Sequence, residues 1–264
     1  MIELQGCSKD FNRGGVNQVR ALDDLSIRIE DGDFVTVIGS NGAGKSTLLN
    51  AIAGTFRVDS GSIIINGQEV TRWPEYRRAR LIARVFQDPL LGTCPSATIE
   101  QNLALALRRG QRRGLGPGVR ARDRQRFREA LQPIGLGLEE RLQDRAGLLS
   151  GGQRQALTMV MATLVRPDVL LLDEHIAALD PKTAQQILAL TARIIDRQRL
   201  TALMVTHNMR HALALGNRLI MLHQGRIILD LCEDEKRRLE VADLLERFYR
   251  IQGEELANDS MLLA

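Results

Sequence analysis

The sequence predicts an α/β fold built around a mainly parallel sheet, and three observations predict it. Apolar strand-like runs alternate with helix-like segments in both the early and the late parts of the chain. A glycine-rich stretch, VIGSNGAGKSTLLNAIAG at 37–54, follows the apolar run Phe34–Ile38 and leads into a helical Leu48, Leu49, Ile52 pattern. Between the two parts, residues 96–148 change texture and read as mostly helical, broken by RGLGPG at 113–118. Continuous apolar strands separated by helices argue for a parallel sheet covered on both faces. The 264 residues are 44% hydrophobic but only 3% aromatic, so the core should be sizeable and aliphatic.

Residues 1–33 read as short strands with turns, MIELQGCSKDF and then LDDLSIRIEDGD. In the second, Leu25, Ile27 and Ile29 alternate with Ser26, Arg28 and Glu30, the period of a half-buried strand. GSIIINGQEV at 61–70 repeats the strand-turn signal, with Asn66-Gly67 as a hairpin turn. RLIARVFQD at 80–88 reads as a strand. From Val169 the alternation returns as VLLLDEH, a helix from Pro181 to near Arg199, TALMVTH, a helix over 208–215, and RLIMLHQGRIIL. Residues 234–264 read as helix plus a weakly structured end.

Composition excludes some classes. The opening MIELQGCSKD is polar and charged, unlike a signal peptide. No window reaches the roughly 18 uninterrupted apolar residues of a membrane span. Cys7, Cys94 and Cys232 are far apart, odd in number and without metal spacing, which suits a reducing compartment. The net charge of +4 is uneven: Arg108–Arg128 holds nine arginines and one acid, Asp123, leaving −4 for the rest.

Gly39-Ser40-Asn41-Gly42-Ala43-Gly44-Lys45-Ser46 fits G-x-x-x-x-G-K-[ST] in full, after a strand and before a helix. The glycines let successive backbone N–H groups turn inward as an anion nest. The helix starting near Lys45 adds the positive end of its dipole. Lys45 supplies a charge for the outer phosphates, and Ser46 an oxygen for Mg²⁺. The guest is a nucleoside triphosphate. A glycine-rich turn without a ligand is the alternative, which the complete motif in context disfavours.

VLLLDEH ends in two carboxylates. A buried acid is costly unless it is paired or coordinates a metal. Asp173 therefore reads as the acid on the Mg²⁺ side and Glu174 as the base for attacking water, with a strand-end salt bridge as the bland alternative. His175 reads as structural, and His211 and His223 receive no role.

LLSGGQRQAL at 148–157 narrows the choice, because Leu149-Ser150-Gly151-Gly152-Gln153 matches the LSGGQ signature of ABC-transporter ATPases letter for letter. Gln87 in VFQDP resembles the glutamine of the Q-loop, Ala178-Leu179-Asp180 the D-loop, and His207 the switch histidine. Phe11 in SKDF sits where that family places an aromatic against adenine. The resemblance covers residues 2–232. It implies a P-loop NTPase (RecA-like) parallel sheet core with an antiparallel β subdomain and a helical subdomain. One ABC-type ATP-binding domain, 1–264, would comprise an N-terminal β part with the phosphate loop (1–88), a helical subdomain (89–150), the second half of the core (151–233) and a helical tail (234–264).

The resemblance also implies a mechanism. Two copies meet head to tail as a homodimer, each ATP held by the phosphate loop of one, Gly39 to Thr47, and by Ser150, Gly151, Gly152 and Gln153 of the other, with Asp180 nearby. His207 would contact the γ-phosphate, and Gln87 would touch Mg²⁺ or the water. ATP and Mg²⁺ are the implied ligands. The implied place is the cytoplasmic face of the cell membrane, peripheral to integral-membrane permease subunits, with an extracytoplasmic solute-binding protein completing an importer. QDPLLGT and LLLDEHIAALDPKTA resemble a subgroup paired with tryptophan- or tyrosine-type importer permeases, although Ile176 replaces its usual threonine. An exporter or lipid-extracting ATPase is the alternative. A soluble ABC ATPase acting on nucleic acid is disfavoured, since one cassette fills the whole length.

The arginine segment admits three readings: a solvated face, contact with anionic lipid or permease, or nucleic acid. It contains one aromatic, Phe127, which is poor provision for stacking on bases.

Overall fold

The computed structural model describes residues 1–111 and 116–252, with side chains described through Tyr249. Arg112, the first half of the RGLGPG break and the end of the tail lie outside the described residues.

In chain order, β1 (Ile2–Phe11) and β2 (Val19–Ile29) precede β3 (Phe34–Gly39), which leads into α1 (Lys45–Ala53). Then come β4 (Ser60–Ile65), β5 (Gln68–Glu69) and α2 (Glu75–Arg78). β6 (Ile82–Val85), α3 (Ile99–Leu107) and α4 (Ala121–Leu131) follow, then three single 3-10 turns, α5 (Gly151–Thr163), β7 (Val169–Asp173) and α6 (Pro181–Gln198). β8 (Thr201–Val205), α7 (Met209–Ala214), β9 (Arg218–His223), β10 (Arg226–Leu231), α8 (Glu233–Lys236) and α9 (Val241–Gln252) complete the described chain. Two compact units result: Met1–Arg78 with Thr201–Ala264, and Ala79–Leu200.

The first, terminal unit carries an antiparallel sheet in the order β2-β1-β4-β5. β1 and β2 are longer than the short strands the sequence suggested. They pair from Ile2↔Ile29 to Phe11↔Val19, with bulges that turn the ribbon. Along β2, Leu25, Ile27 and Ile29 are buried while Ser26 and Arg28 are exposed, as the alternation requires. Asn66 (φ 48°) and Gly67 (φ 73°) both take the left-handed conformation of a two-residue hairpin turn.

β3 is parallel to both β8 and β9, with Val37↔Val205 and Ile38↔Met221 in register. Its six residues are all buried, which explains an apolar run without alternation. RLIMLHQGRIIL is two antiparallel strands, β9 and β10, split where Gln224 (φ 45°) and Gly225 (φ 78°) make the turn. Ile38, Met209, Leu219, Met221, Leu244 and Phe248 form one core, so α7 and α9 cover this sheet.

Arg78 anchors the far end of α1. It is 1% exposed, and its guanidinium donates to the carbonyls of Ala51 (2.6 Å) and Ile52 (2.8 Å) in the last turn of that helix. It also donates to Thr71 (3.0 Å) and Trp73 (3.1 Å). Burial pulls its pKa down to about 10, so it stays charged at neutral pH. A cation there satisfies carbonyls that the helix leaves open and complements the dipole.

In the second, central unit, β6 and β7 pair in parallel from Ile82↔Val169 to Val85↔Leu172. Ile99, Leu103, Phe127, Leu131, Leu157 and Val160 make its core under α3, α4 and α5. Phe127, the one aromatic of the arginine segment, is fully buried and offers no ring to a base. Several of the arginines are tied to the protein itself. Arg124 pairs with Glu100 (2.7 Å), and Arg109 donates to the carbonyls of Ala162 (2.8 Å) and Val165.

Arg78→Met should lower the unfolding free energy by about 3 kcal/mol, because buried carbonyls lose charged donors. Urea denaturation followed by far-UV circular dichroism measures this, and Arg78→Lys should recover part of the loss.

Candidate functional site

In the terminal unit the phosphate-loop sequence leaves the C-terminal end of β3. Two of its glycines are there because nothing larger fits. A Cβ on Gly39 would lie 2.3 Å from the carbonyl oxygen of Leu222, and one on Gly44 2.4 Å from that of Ala21. Both also have positive φ, 153° and 100°. Gly44 is the N-cap of α1 and supplies no side chain, so a ligand rather than a capping group is suited to that helix start. Lys45 is buried, and its Nζ donates to the carbonyls of Gly39 (2.7 Å) and Ser40 (2.8 Å). Ser40 and Ala43 are buried, Thr47 is half-buried, and Asn41, Gly42 and Ser46 are exposed.

His207 leaves the C-terminal end of β8, the strand beside β3. Its neighbours hold it on both sides: Thr206 N–H donates to the Val37 carbonyl (3.1 Å), and the Asn208 side chain caps α7 through His211 N–H (3.1 Å). The terminal unit therefore brings the glycine loop and His207 to one edge of a parallel sheet, where α/β folds place ligands. Phe11 ends β1, partly exposed, with its ring edge-on to Phe56 at 5.4 Å.

The central unit repeats the arrangement. Gln87 follows β6 and is exposed, and Asp173 and Glu174 end the neighbouring β7, half-buried. Asp173 Oδ2 accepts from Arg84 Nη2 at 2.6 Å. Glu174 holds φ 45°, a left-handed backbone that costs a non-glycine residue about 1 kcal/mol or more. His175 is 1% exposed, with Nε2 3.1 Å from the Thr191 hydroxyl. That hydroxyl donates to the Ile187 carbonyl (2.8 Å), so it accepts from His175 and fixes the Nε2–H tautomer. Burial pushes the His175 pKa down to about 4.

Ser150 caps α5 in a reciprocal box with Gln153: the Ser150 hydroxyl accepts from Gln153 N–H (3.3 Å), and Gln153 Oε1 accepts from Ser150 N–H (3.2 Å). Ser150 and Gly151 are exposed. Gly152 has a packing role the sequence did not announce, since a Cβ there would meet Thr183 Cγ2 at 2.2 Å. Thr183 N–H in turn donates to Asp180 Oδ1 (3.1 Å), where Asp180 caps α6. Hydrogen bonds from Thr183 hold the Asp180 carboxyl below its usual pKa. The LSGGQ segment and Asp180 are thus brought together.

The ABC transporter family matches residues 22–177. The chain is 46% identical over 248 residues to a tyrosine transport ATP-binding protein of Clostridioides difficile, covering 94% of this chain and 98% of that relative. This chain belongs to the ABC transporter family. It is a cassette of the ATP-hydrolysing type. An aliphatic sulfonates import ATP-binding protein of Burkholderia cenocepacia is 37% identical over 87% of this cassette, which spans 63% of that relative's length. A methionine import ATP-binding protein of Bartonella henselae is 37% identical over 86% of the cassette, which spans 64% of it. Among solved structures, a dimeric bacterial ABC transporter cassette has TM-score 0.75 at 28% identity over 88% of this chain and 99% of its own. The same holds for a dimeric cassette in a post-hydrolysis state bound to ADP and Pi.

The donor chemistry of the cassette fits Mg²⁺. The ion takes hard oxygens and leaves positions for water and phosphate. In the terminal unit Ser46 offers a hydroxyl, and in the central unit Asp173 offers a carboxylate that already pairs with the Arg84 guanidinium. No cluster of three His, Cys, Asp or Glu side chains able to hold a metal occurs among the described residues. Also among them, no helix is long and apolar enough to cross a membrane.

Because His175 stays neutral when folded and titrates near 6.5 when unfolded, its contribution to stability is complete above pH 6.5 and is lost as pH falls towards 4. The loss should reach about 3 kcal/mol, and His175→Gln should flatten that part of the pH dependence of urea unfolding. Gly152→Ala should destabilise the cassette by about 2 kcal/mol, and adding Thr183→Ala should return part of it, as a double-mutant cycle on thermal unfolding will show.

Proposed function

We propose that this cassette is the motor subunit of an importer for a small solute such as an amino acid. It works as a head-to-tail homodimer at the cytoplasmic face of the membrane, beneath separate permease subunits and in company with an extracytoplasmic solute-binding protein. The observation that carries this reading is the near end-to-end match to the tyrosine transport relative, against partial coverage of the sulfonate and methionine relatives. Exposed Leu90, Leu91, Leu105 and Leu148 in the central unit support a docking face for a permease.

In this reading the loop from Gly39 to Thr47 binds the triphosphate, with Lys45 turning its ammonium from loop carbonyls to the outer phosphates. Phe11 stacks against adenine. Ser46, Asp173 and Gln87 would hold Mg²⁺, which would supply positive charge to offset that of the phosphates. Glu174 accepts a proton from water as its oxygen bonds to the γ-phosphorus and the bridging bond to ADP breaks. His207 holds the γ-phosphate and orients Glu174. Ser150, Gly151, Gly152 and Gln153 of a second copy close on the same phosphates, with Asp180 nearby. Two glycine-rich helix starts on one chain, one capped only by Gly44 and one with Ser150 and Gly151 exposed, support a dimer in which each nucleotide is shared.

Glu174→Gln should cut turnover at least about 100-fold while retaining ATP and shifting the protein to a dimer in light scattering. Lys45→Ala should instead weaken ATP binding itself by about tenfold or more, read by calorimetry. Parental hydrolysis by the Glu174 variant refutes the base assignment. A purified permease complex whose ATPase ignores the loaded binding protein refutes the importer reading.

A further inference from the structure

We propose that Arg84 competes with the metal for Asp173, so that this acid accepts Mg²⁺ only when a triphosphate brings it. The proposal rests on the reading of Asp173 as the Mg²⁺-side acid. It makes Arg84 a positioning residue that neither the motif pattern nor the site described above includes.

The geometry begins with register. Arg84 lies on β6 opposite Leu171 of β7, so its side chain reaches towards the strand end to meet Asp173. The contact is short, 2.6 Å between Nη2 and Oδ2, and charge-assisted. The side chains are only 13% and 15% exposed, so solvent screens the pair weakly. The guanidinium also lies over the ring of Phe86, 4.8 Å from its centroid. The Phe86 carbonyl accepts from Gln155 Nε2 at 3.3 Å, and Gln155 stands on α5, five residues after Ser150. Arg84 is therefore packed between the acid and the strand end that continues into Gln87.

The electrostatic consequence is direct. A lone Asp173 would present a full negative charge to any divalent cation. Paired with Arg84 it presents almost none, and an arriving metal meets a fixed positive charge beside its ligand. Either the guanidinium leaves Oδ2 or it stays and repels the ion, and both lower affinity for a bare metal. A magnesium-nucleotide brings its own negative charge and can displace or tolerate the guanidinium. Displacement would also loosen the packing on Phe86, one residue before Gln87. Loading of the metal is thereby linked to the strand end next to α5.

The test uses the full chain and ATP as the probe. ATP affinity is measured by calorimetry in EDTA and across a Mg²⁺ titration for the parent, Arg84→Met, Arg84→Lys and Asp173→Asn. Arg84→Met should need at least about tenfold less Mg²⁺ for the half-maximal gain in ATP affinity, the order expected from removing a weakly screened unit charge. Its affinity in EDTA should match the parent, and Arg84→Lys, which keeps the charge, should stay near the parent. If Arg84→Met does not melt cooperatively, Arg84→Gln removes the same charge while keeping a hydrogen-bond donor to Asp173. An unchanged or raised Mg²⁺ requirement in the neutral variant overturns the proposal. If the parent gains nothing from Mg²⁺, or Asp173→Asn titrates like the parent, the reading of Asp173 fails and the proposal with it. A shifted Asp173→Asn beside an unshifted neutral variant removes the Arg84 proposal alone.

Discussion

The phosphate loop keeps its shape because backbone presses on backbone. Gly39 lies under the Leu222 carbonyl and Gly44 under that of Ala21, while Gly225 N–H donates to the carbonyl of Ala43 at 3.0 Å. The loop is thus shaped by β2, β3 and the β9–β10 turn together. A preformed cradle spares binding the entropy of ordering the chain. It also ties the site to burial of β3, since the sheet that hides Phe34–Gly39 sets the height at which the loop emerges.

Both units use one geometric device. Neighbouring parallel strands end together and deliver polar groups at that edge: the loop and His207 from β3 and β8, Gln87 and the two acids from β6 and β7. The strand interiors are almost entirely apolar, so the polar groups collect where the strands stop. Thr36 in β3 is a polar exception and Arg84 in β6 the charged one, its charge met by Asp173 rather than by water.

This division explains what the sequence disclosed and what it withheld. The glycine loop and the DE pair were legible because their residues are adjacent in sequence, and LSGGQ through its resemblance to a family signature. So were β2, through its alternation, and α6, read from Pro181 to near Arg199 and found at Pro181–Gln198. Thr183, Thr191 and Gln155 were not legible. Each acts on a residue distant in sequence or through the face of a helix that only packing selects. Gly152 was legible as part of a motif but for a different reason from its contact with Thr183. Arg84 left a faint signal, a single cation inside an apolar strand, without any hint of its partner.

The packing of Gly152 on Thr183 has a mechanical consequence. With no side chain between them, α5 and α6 pack closely, and the Thr183 bond to Asp180 ties the cap of the second helix to that contact. Any tilt of the signature helix must carry the aspartate with it. In the head-to-tail dimer proposed above, the two segments would reach a facing subunit in a single stroke, with their relative timing built into the joint.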